Sequence, residues 1–225
     1  MDMDPQANAT ECVADPQTIG KCIGDVLLRR ANMVETIRAA SFLPLNLFFI
    51  PSKPSMLIDE YFGHFTSIFP DTLRGYLSSV QDQYDYVMID CPPNLMHFTK
   101  NALWASDYVV TPLEPEPLAF DGLRQFIASI LPDAAVHNPN LKPGGAILVN
   151  RAPAVRKYLP EEIKTRIRQE PNMGPDFLFG HEIRLDQELA KMSLFNRPAT
   201  EYAMQSNGVQ DYVGLAAEFE AKMPP

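Results

Sequence analysis

Four short apolar runs, Leu45 to Ile50, Tyr86 to Ile89, Tyr108 to Val110 and Ala146 to Val149, constrain this chain most, because none alternates apolar with polar residues. A strand that is apolar on both faces reads as one covered on both faces, as in a parallel sheet layered between helices. Segments with helical spacing lie between the runs. Asp15-Pro16 supplies an N-cap followed by proline in the first turn, so a helix is expected from there to about Arg30. Leu159, Ile163 and Ile167 fall four apart, as do Leu185 and Leu189, and Tyr212, Leu215, Ala216 and Phe219 form an i, i+3, i+4, i+7 stripe. These stripes are expected to face a core. Strands alternating with helices predict an α/β fold, a three-layer α/β/α sandwich around a mostly parallel sheet. No internal repeat, low-complexity stretch or linker interrupts the chain, so residues 1–225 read as a single domain.

Composition removes several classes. Charged residues are 21% and hydrophobic residues 46% of the chain, a balance that suits a packed globular protein and excludes disorder. The apolar runs fall far short of the roughly 20 residues that span a bilayer, and the sequence opens on Asp2 and Asp4 without a basic segment leading into an apolar one. No membrane contact and a cytoplasmic location are expected. Three cysteines without a C-x-x-C pair point to reduced thiols. The formal charge of −9 argues against a surface coated with phosphate-neutralising lysine and arginine, so any nucleic-acid contact must be local.

The polar residues at the carboxyl end of each run are the informative feature. Val87-Met88-Ile89 ends in Asp90-Cys91-Pro92-Pro93, Ile147-Leu148-Val149 ends in Asn150, and Met3 leads into Asp4-Pro5-Gln6. In open parallel sheets the ligand crevice lies at the carboxyl ends of the strands, where side chains from several strands converge. Two carboxylates and an amide there suit a metal-nucleotide, since magnesium is a hard cation that keeps several waters while it binds phosphate. The alternative is that Asp90 only caps the next turn, and spacing alone does not choose between the two.

Further residues carry a resemblance. Asp2-Met3-Asp4-Pro5-Gln6-Ala7-Asn8-Ala9-Thr10 resembles the D-x-D-P-Q-x-N-A-T segment of the ParA/Soj family of ATPases, and Tyr84 to Asn94 resembles its Walker B region, Y-D-x-x-x-I-D-C-P-P-S. Asn101-Ala102-Leu103 through Pro112, Leu118 to Leu123, Arg184-Leu185 and Ala216 to Phe219 resemble later blocks of the family, so the match runs along essentially the whole chain. The resemblance implies a deviant P-loop NTPase related to MinD-like proteins, using ATP and Mg2+. It implies that Asp90 acts on the magnesium shell and that Asp4 positions and polarises the attacking water. Asn150, followed by Arg151, is implied to read adenine, with structural bonding to a nearby loop as the other reading. Gln6 and Asn8 fall in the segment that resembles the family's switch, or serve as simple turn residues. A homodimer, a stimulating partner of the ParB type and non-specific DNA are the implied partners.

The chain departs from the family in one large respect. No G-x-x-x-x-G-K-[ST] phosphate loop occurs in these residues; Gly20-Lys21-Cys22 has no glycine loop before it and falls inside the expected helix. The first strand-loop-helix unit of the fold is therefore expected to be missing. Either Met1 is an internal methionine of a longer protein, or a genuine product has lost catalysis; the intact D-x-D-P-Q and Walker B segments favour the first. This polypeptide alone is expected to be inactive.

For DNA, the stretch from Arg151 to Arg168 holds Arg151, Arg156, Lys157, Lys164, Arg166 and Arg168 against Glu161 and Glu162, which is either a phosphate-binding patch or a solvated helix face. His181 and Asn207 stand where DNA-binding relatives are expected to carry arginine. Two other functions remain open: a non-hydrolysing module that holds a partner on the same sheet, and an ATP-dependent ligase of the cobyrinic acid or dethiobiotin type. The ligase would need its own acid-base residues, and His64, His97, His137 and His181 lack metal-ligand spacing.

Overall fold

The first residues of the chain are hydrogen-bonded on both sides. In the computed structural model, which describes residues 1–40, 47–150 and 158–225, the Asp2 amide donates to the Ile50 carbonyl at 3.0 Å. On the other side, the Asp90 amide donates to the Met1 carbonyl at 2.9 Å and the Met3 amide donates to the Asp90 carbonyl at 2.8 Å. This alternation marks a parallel pairing, centred on Asp2 and Asp90. Residues 1–3 thus lie between Ile50 and the segment 88–90, which brings these chain segments side by side.

The chain divides into two compact units, the first Met1–Ala105 with Lys191–Tyr202, the second Ser106–Ala190 with Ala203–Pro225. In the first, β1 (Arg38–Ala39) pairs antiparallel with β2 (Phe48–Phe49). Residues 41–46 lie outside the described residues, so only part of the expected Leu45 to Ile50 strand is seen. Helices α1 (Asn8–Glu11), α2 (Ile23–Leu27), α3 (Ser55–Tyr61), α4 (Thr72–Leu77) and α5 (His97–Ala105) surround the sheet. Their core contains Met3, Ile23, Val26, Met56, Leu73 and Phe98. Phe65 meets Phe98 edge-on with ring centres 4.8 Å apart, an arrangement favoured by the ring quadrupoles.

Two expectations in this unit fail. Instead of one helix from Asp15 to Arg30, the Asp15 carboxylate caps only a 3-10 turn, Pro16–Thr18, by accepting from the Gln17 amide at 2.9 Å. The chain then turns at Gly20, whose carbonyl accepts from the Lys53 ammonium. A new helix starts at Cys22, whose amide donates to the Asp25 carboxylate at 3.0 Å. This local capping and the Lys53 contact outcompete helix propagation, and Gly20-Lys21-Cys22 therefore precedes α2 instead of lying within a helix. Among the described residues, the run Tyr86 to Ile89 pairs with residues 1–3 at Met88 and Asp90, and it is not covered on both faces: Val87 is 39% and Met88 62% exposed. The peptide groups of Val87 and Ile89 alternate to the far edge, where, among the described residues, the Cys91 thiol reaches the Ile89 carbonyl at 3.8 Å.

In the second unit β3 (Tyr108–Leu113) and β4 (Lys142–Leu148) pair in parallel from Tyr108↔Lys142 to Leu113↔Leu148. The register shifts between Val109 and Val110, which pair with Pro143 and Gly145 and leave Gly144 as the extra residue between them. Gly145 adopts φ 121°, and a Cβ there would lie 2.4 Å from the Phe177 carbonyl oxygen. Only glycine permits this approach. It brings residues 177–179 alongside β4, with the Ala146 amide donating to the Phe177 carbonyl at 2.8 Å. Helices α6 (Pro117–Gln125) and α7 (Leu131–His137) are joined by a π-helical turn, Phe126–Ile130. Pro132 explains the turn, because it has no N–H to bond back along an α-helical ladder.

Helix α8 (Tyr158–Gln169) buries Ile163 and Ile167 as its stripe predicts, but Leu185 is 62% exposed and precedes its helix. In α9 (Asn207–Lys222) Leu215 is buried and Phe219 packs against its cluster as the stripe predicts, whereas Tyr212 and Ala216 are exposed and the buried positions Gly208 and Val209 lie nearer the N-terminal end. The Asp186 carboxylate anchors that end by accepting from the Gly208 amide at 2.7 Å.

Candidate functional site

The tip of the first strand is organised by a buried carboxylate. Asp2 is only 4% exposed and accepts from the Asp4 amide at 3.0 Å, the Thr10 amide at 2.9 Å and the Thr10 hydroxyl at 2.7 Å. Burial pushes the Asp2 carboxyl up, with the Thr10 and Asp4 donors working against it. Between these anchors the chain makes a tight turn. The Asp4 carboxylate accepts from the Gln6 amide at 2.9 Å and the Asp4 carbonyl accepts from the Ala7 amide at 2.9 Å. Ala7 holds φ 60° and ψ 25°, a left-handed conformation, as the cap of α1, and Asn8 is the exposed first residue of that helix. A buried non-glycine residue in this region is held there by its surroundings, as is typical of functional loops.

Asp90 lies beside this turn. Its backbone pairs with Asp2, and its carboxyl is pushed up first by burial and then by the charges of Asp2 and Asp4. Asp2, Asp4 and Asp90 therefore meet at the carboxyl end of one sheet, where the side chains crowd negative charge. The hard oxygens of Asp4 and Asp90 suit a magnesium ion held through its waters, with the Asp2 carboxylate already engaged by three donors behind them. Among the described residues, no group of three or more His, Cys, Asp or Glu side chains is arranged to hold a metal directly. Cys91 is half-buried, and burial together with the Asp90 charge pushes its thiol up to about 12, so it stays protonated and unreactive near neutrality.

Asn150 belongs to the second unit. It comes directly after β4 and Val149 with φ 54°, and its amide group donates to the Glu114 carboxylate at 2.6 Å, linking the carboxyl ends of β3 and β4. Arg151, Arg156 and Lys157 lie outside the described residues. Of the remaining expected DNA contacts, Lys164 is drawn into ion pairs with Glu161, at 2.8 Å, and Glu182, which leave its side chain 14% exposed. Arg166 pairs with Glu162 at 2.9 Å, and Arg168 is exposed. The described part of this stretch is thus largely neutralised by its own acids. His181 is bound through Nδ1 to Glu218 at 2.9 Å, and the Asn207 carbonyl accepts from Arg184 at 3.4 Å.

Sequence reasoning named Asp4, Asp90, Gln6 and Asn8 but missed Asp2, Thr10 and Ser52. Asp2 and Thr10 carry a signal of their own: an acid and a hydroxyl bracket a turn that begins at the end of an apolar strand. Ser52, 1% exposed, donates its amide to the Thr10 hydroxyl oxygen at 2.9 Å, a contact across 42 residues with no local signature.

The model of the AAA domain family matches residues 1–142. The sporulation initiation inhibitor protein Soj of Bacillus subtilis is 30% identical across 98% of this chain and 85% of its own length. The chain belongs to the ParA/Soj family. The chromosome partitioning protein ParA of Myxococcus xanthus is 28% identical, aligned over 100% of this chain and 77% of its own length. Among solved structures, cobyrinic acid a,c-diamide synthase from Mycobacterium smegmatis, with bound ATP analogue and magnesium, superposes with a TM-score of 0.77. It is 22% identical, over 96% of this chain and 78% of that one, and at this identity the likeness establishes the fold alone. That fold is the α/β P-loop NTPase fold with its parallel sheet, and this ParA/Soj-family chain carries its acidic strand tips on it.

Proposed function

We propose that this chain is the acid-bearing body of a ParA-type ATPase switch that partitions DNA or positions another cargo. The observation that carries the reading is the meeting of Asp4 and Asp90 at the carboxyl ends of neighbouring chain segments, with the Asp2 carboxylate behind them. Magnesium, when bound, screens the charge of the phosphates. Asp90 holds its water shell, and Asp4, fixed by its own turn, orients the attacking water. These are tasks of alignment and charge, which phosphoryl transfer asks of a protein. Gln6 and Asn8 flank that water from the turn. Asn150 contributes to adenine recognition through the face not bound to Glu114.

The residues that grip phosphate are not among these 225, which contain no glycine-rich, lysine-bearing loop. The polypeptide by itself therefore neither binds ATP tightly nor turns it over, and the complete switch works as a homodimer discharged by a ParB-like partner. The relatives in partition systems support this reading, and the 22% likeness to a ligase gives no comparable support for amidation.

The test is to express the gene with its upstream coding sequence and measure magnesium-dependent ATP hydrolysis. Turnover is expected there and not in the 225-residue chain. Asp4→Ala is expected to lower kcat by about 100-fold or more while ATP still binds. Turnover untouched by both Asp4→Ala and Asp90→Ala would refute the proposal.

A further inference from the structure

Asp4 is held from behind. Three polar side chains outside the proposed chemistry, Asp2, Thr10 and Ser52, are 4%, 1% and 1% exposed. They are joined in series. The Asp2 carboxylate accepts the Asp4 and Thr10 amides and the Thr10 hydroxyl proton. The Thr10 oxygen accepts the Ser52 amide at 2.9 Å, and the Ser52 hydroxyl lies 3.3 Å from the Met56 sulfur in α3. One end of the turn 4–10 is thereby tied to the strand from which it springs, and the other end to the segment after β2.

We propose that Asp2 and Thr10 are positioning residues that hold the turn, and with it Asp4, in one place through buried hydrogen bonds. This rests on the role given to Asp4 above. Both act through the Asp4 backbone. A carboxylate is needed at residue 2 because it must accept three donors at once, two on one oxygen and one on the other. A hydroxyl is needed at residue 10 because one atom must donate to Asp2 and accept from Ser52. Valine in its place preserves shape but leaves a buried acceptor and a buried donor unmet.

Hydrogen exchange on the 225-residue chain reads this without any nucleotide. In Thr10→Val the amides of Asp4, Gln6 and Thr10 are expected to exchange about tenfold faster or more, with those of Asn101 and Ala102 in α5 unchanged. Thr10→Ser should restore protection, and Asp2→Asn should behave as Thr10→Val does. Equal acceleration in α5, or a variant that does not fold, would make the contacts a general staple and overturn the assignment, as would unchanged exchange in the turn. In the ATP-hydrolysing protein, Thr10→Val should lower kcat by about tenfold at constant KM for ATP, with rescue by Thr10→Ser. If wild type shows no turnover while the exchange pattern holds, the ATPase reading fails and the positioning of Asp4 stands.

Discussion

Ala7 stands in a backbone region that its side chain disfavours, with φ 60° while only 2% exposed. Left-handed geometry costs an L-residue about 1–2 kcal/mol, which glycine avoids and a β-branched residue feels more severely. Ala7→Gly is therefore expected to be tolerated, the relief of strain offsetting the lost methyl group. Ala7→Val is expected to destabilise by more than about 2 kcal/mol, and denaturant titration should rank the three proteins in that order. Valine equal to alanine would mean that the turn is not held as described. The strain sits one bond from Gln6 and Asn8, in the segment that fixes Asp4, which is where an over-determined backbone serves alignment.

Among the elements, the contact of β4 with residues 177–179 depends on Gly145. Gly145→Ala combines a positive φ with a backbone clash and is expected to cost about 2–3 kcal/mol, a fall in Tm of roughly 4–12 °C by calorimetry. Helix α9 is tied to Gly180 and His181 through Glu218. Desolvation pushes that carboxyl up, but the Gly180 and His181 N–H groups, the His181 ring and Lys222 outweigh it and hold it at about 2. The folded value lies below the ordinary 4.5, so the contribution to stability is complete above about 4.5 and is lost as pH falls through about 2. Glu218→Gln should accordingly lower stability at pH 7 by about 1–2 kcal/mol and converge with wild type near pH 2 in melting experiments. In α8, Lys164→Ala should destabilise by breaking the largely buried ion pair with Glu182, while leaving any DNA retention by this stretch unchanged in a filter-binding assay.

Across the whole molecule, the family and its acidic strand tips were legible because strand-end chemistry is local: Asp4 and Asp90 each come directly after an apolar residue, and the polar residue there has few alternatives. Ile163 and Ile167 were legible for the same reason, since helical period is written in consecutive turns. Where distant residues decide the outcome, the reading failed. The break at Gly20 is held by Lys53, the start of α9 is anchored by Asp186, and the hydroxyl of Thr10 acquires its second partner from Ser52. None of these partners lies within a local window. The apolar side chains of Val87 and Met88, open to solvent, have a practical consequence for anyone handling this polypeptide. They are adhesive, and neighbouring copies are expected to associate through them as concentration rises. Light scattering of the purified chain should grow with concentration and subside in Met88→Lys, so preparations will keep best dilute.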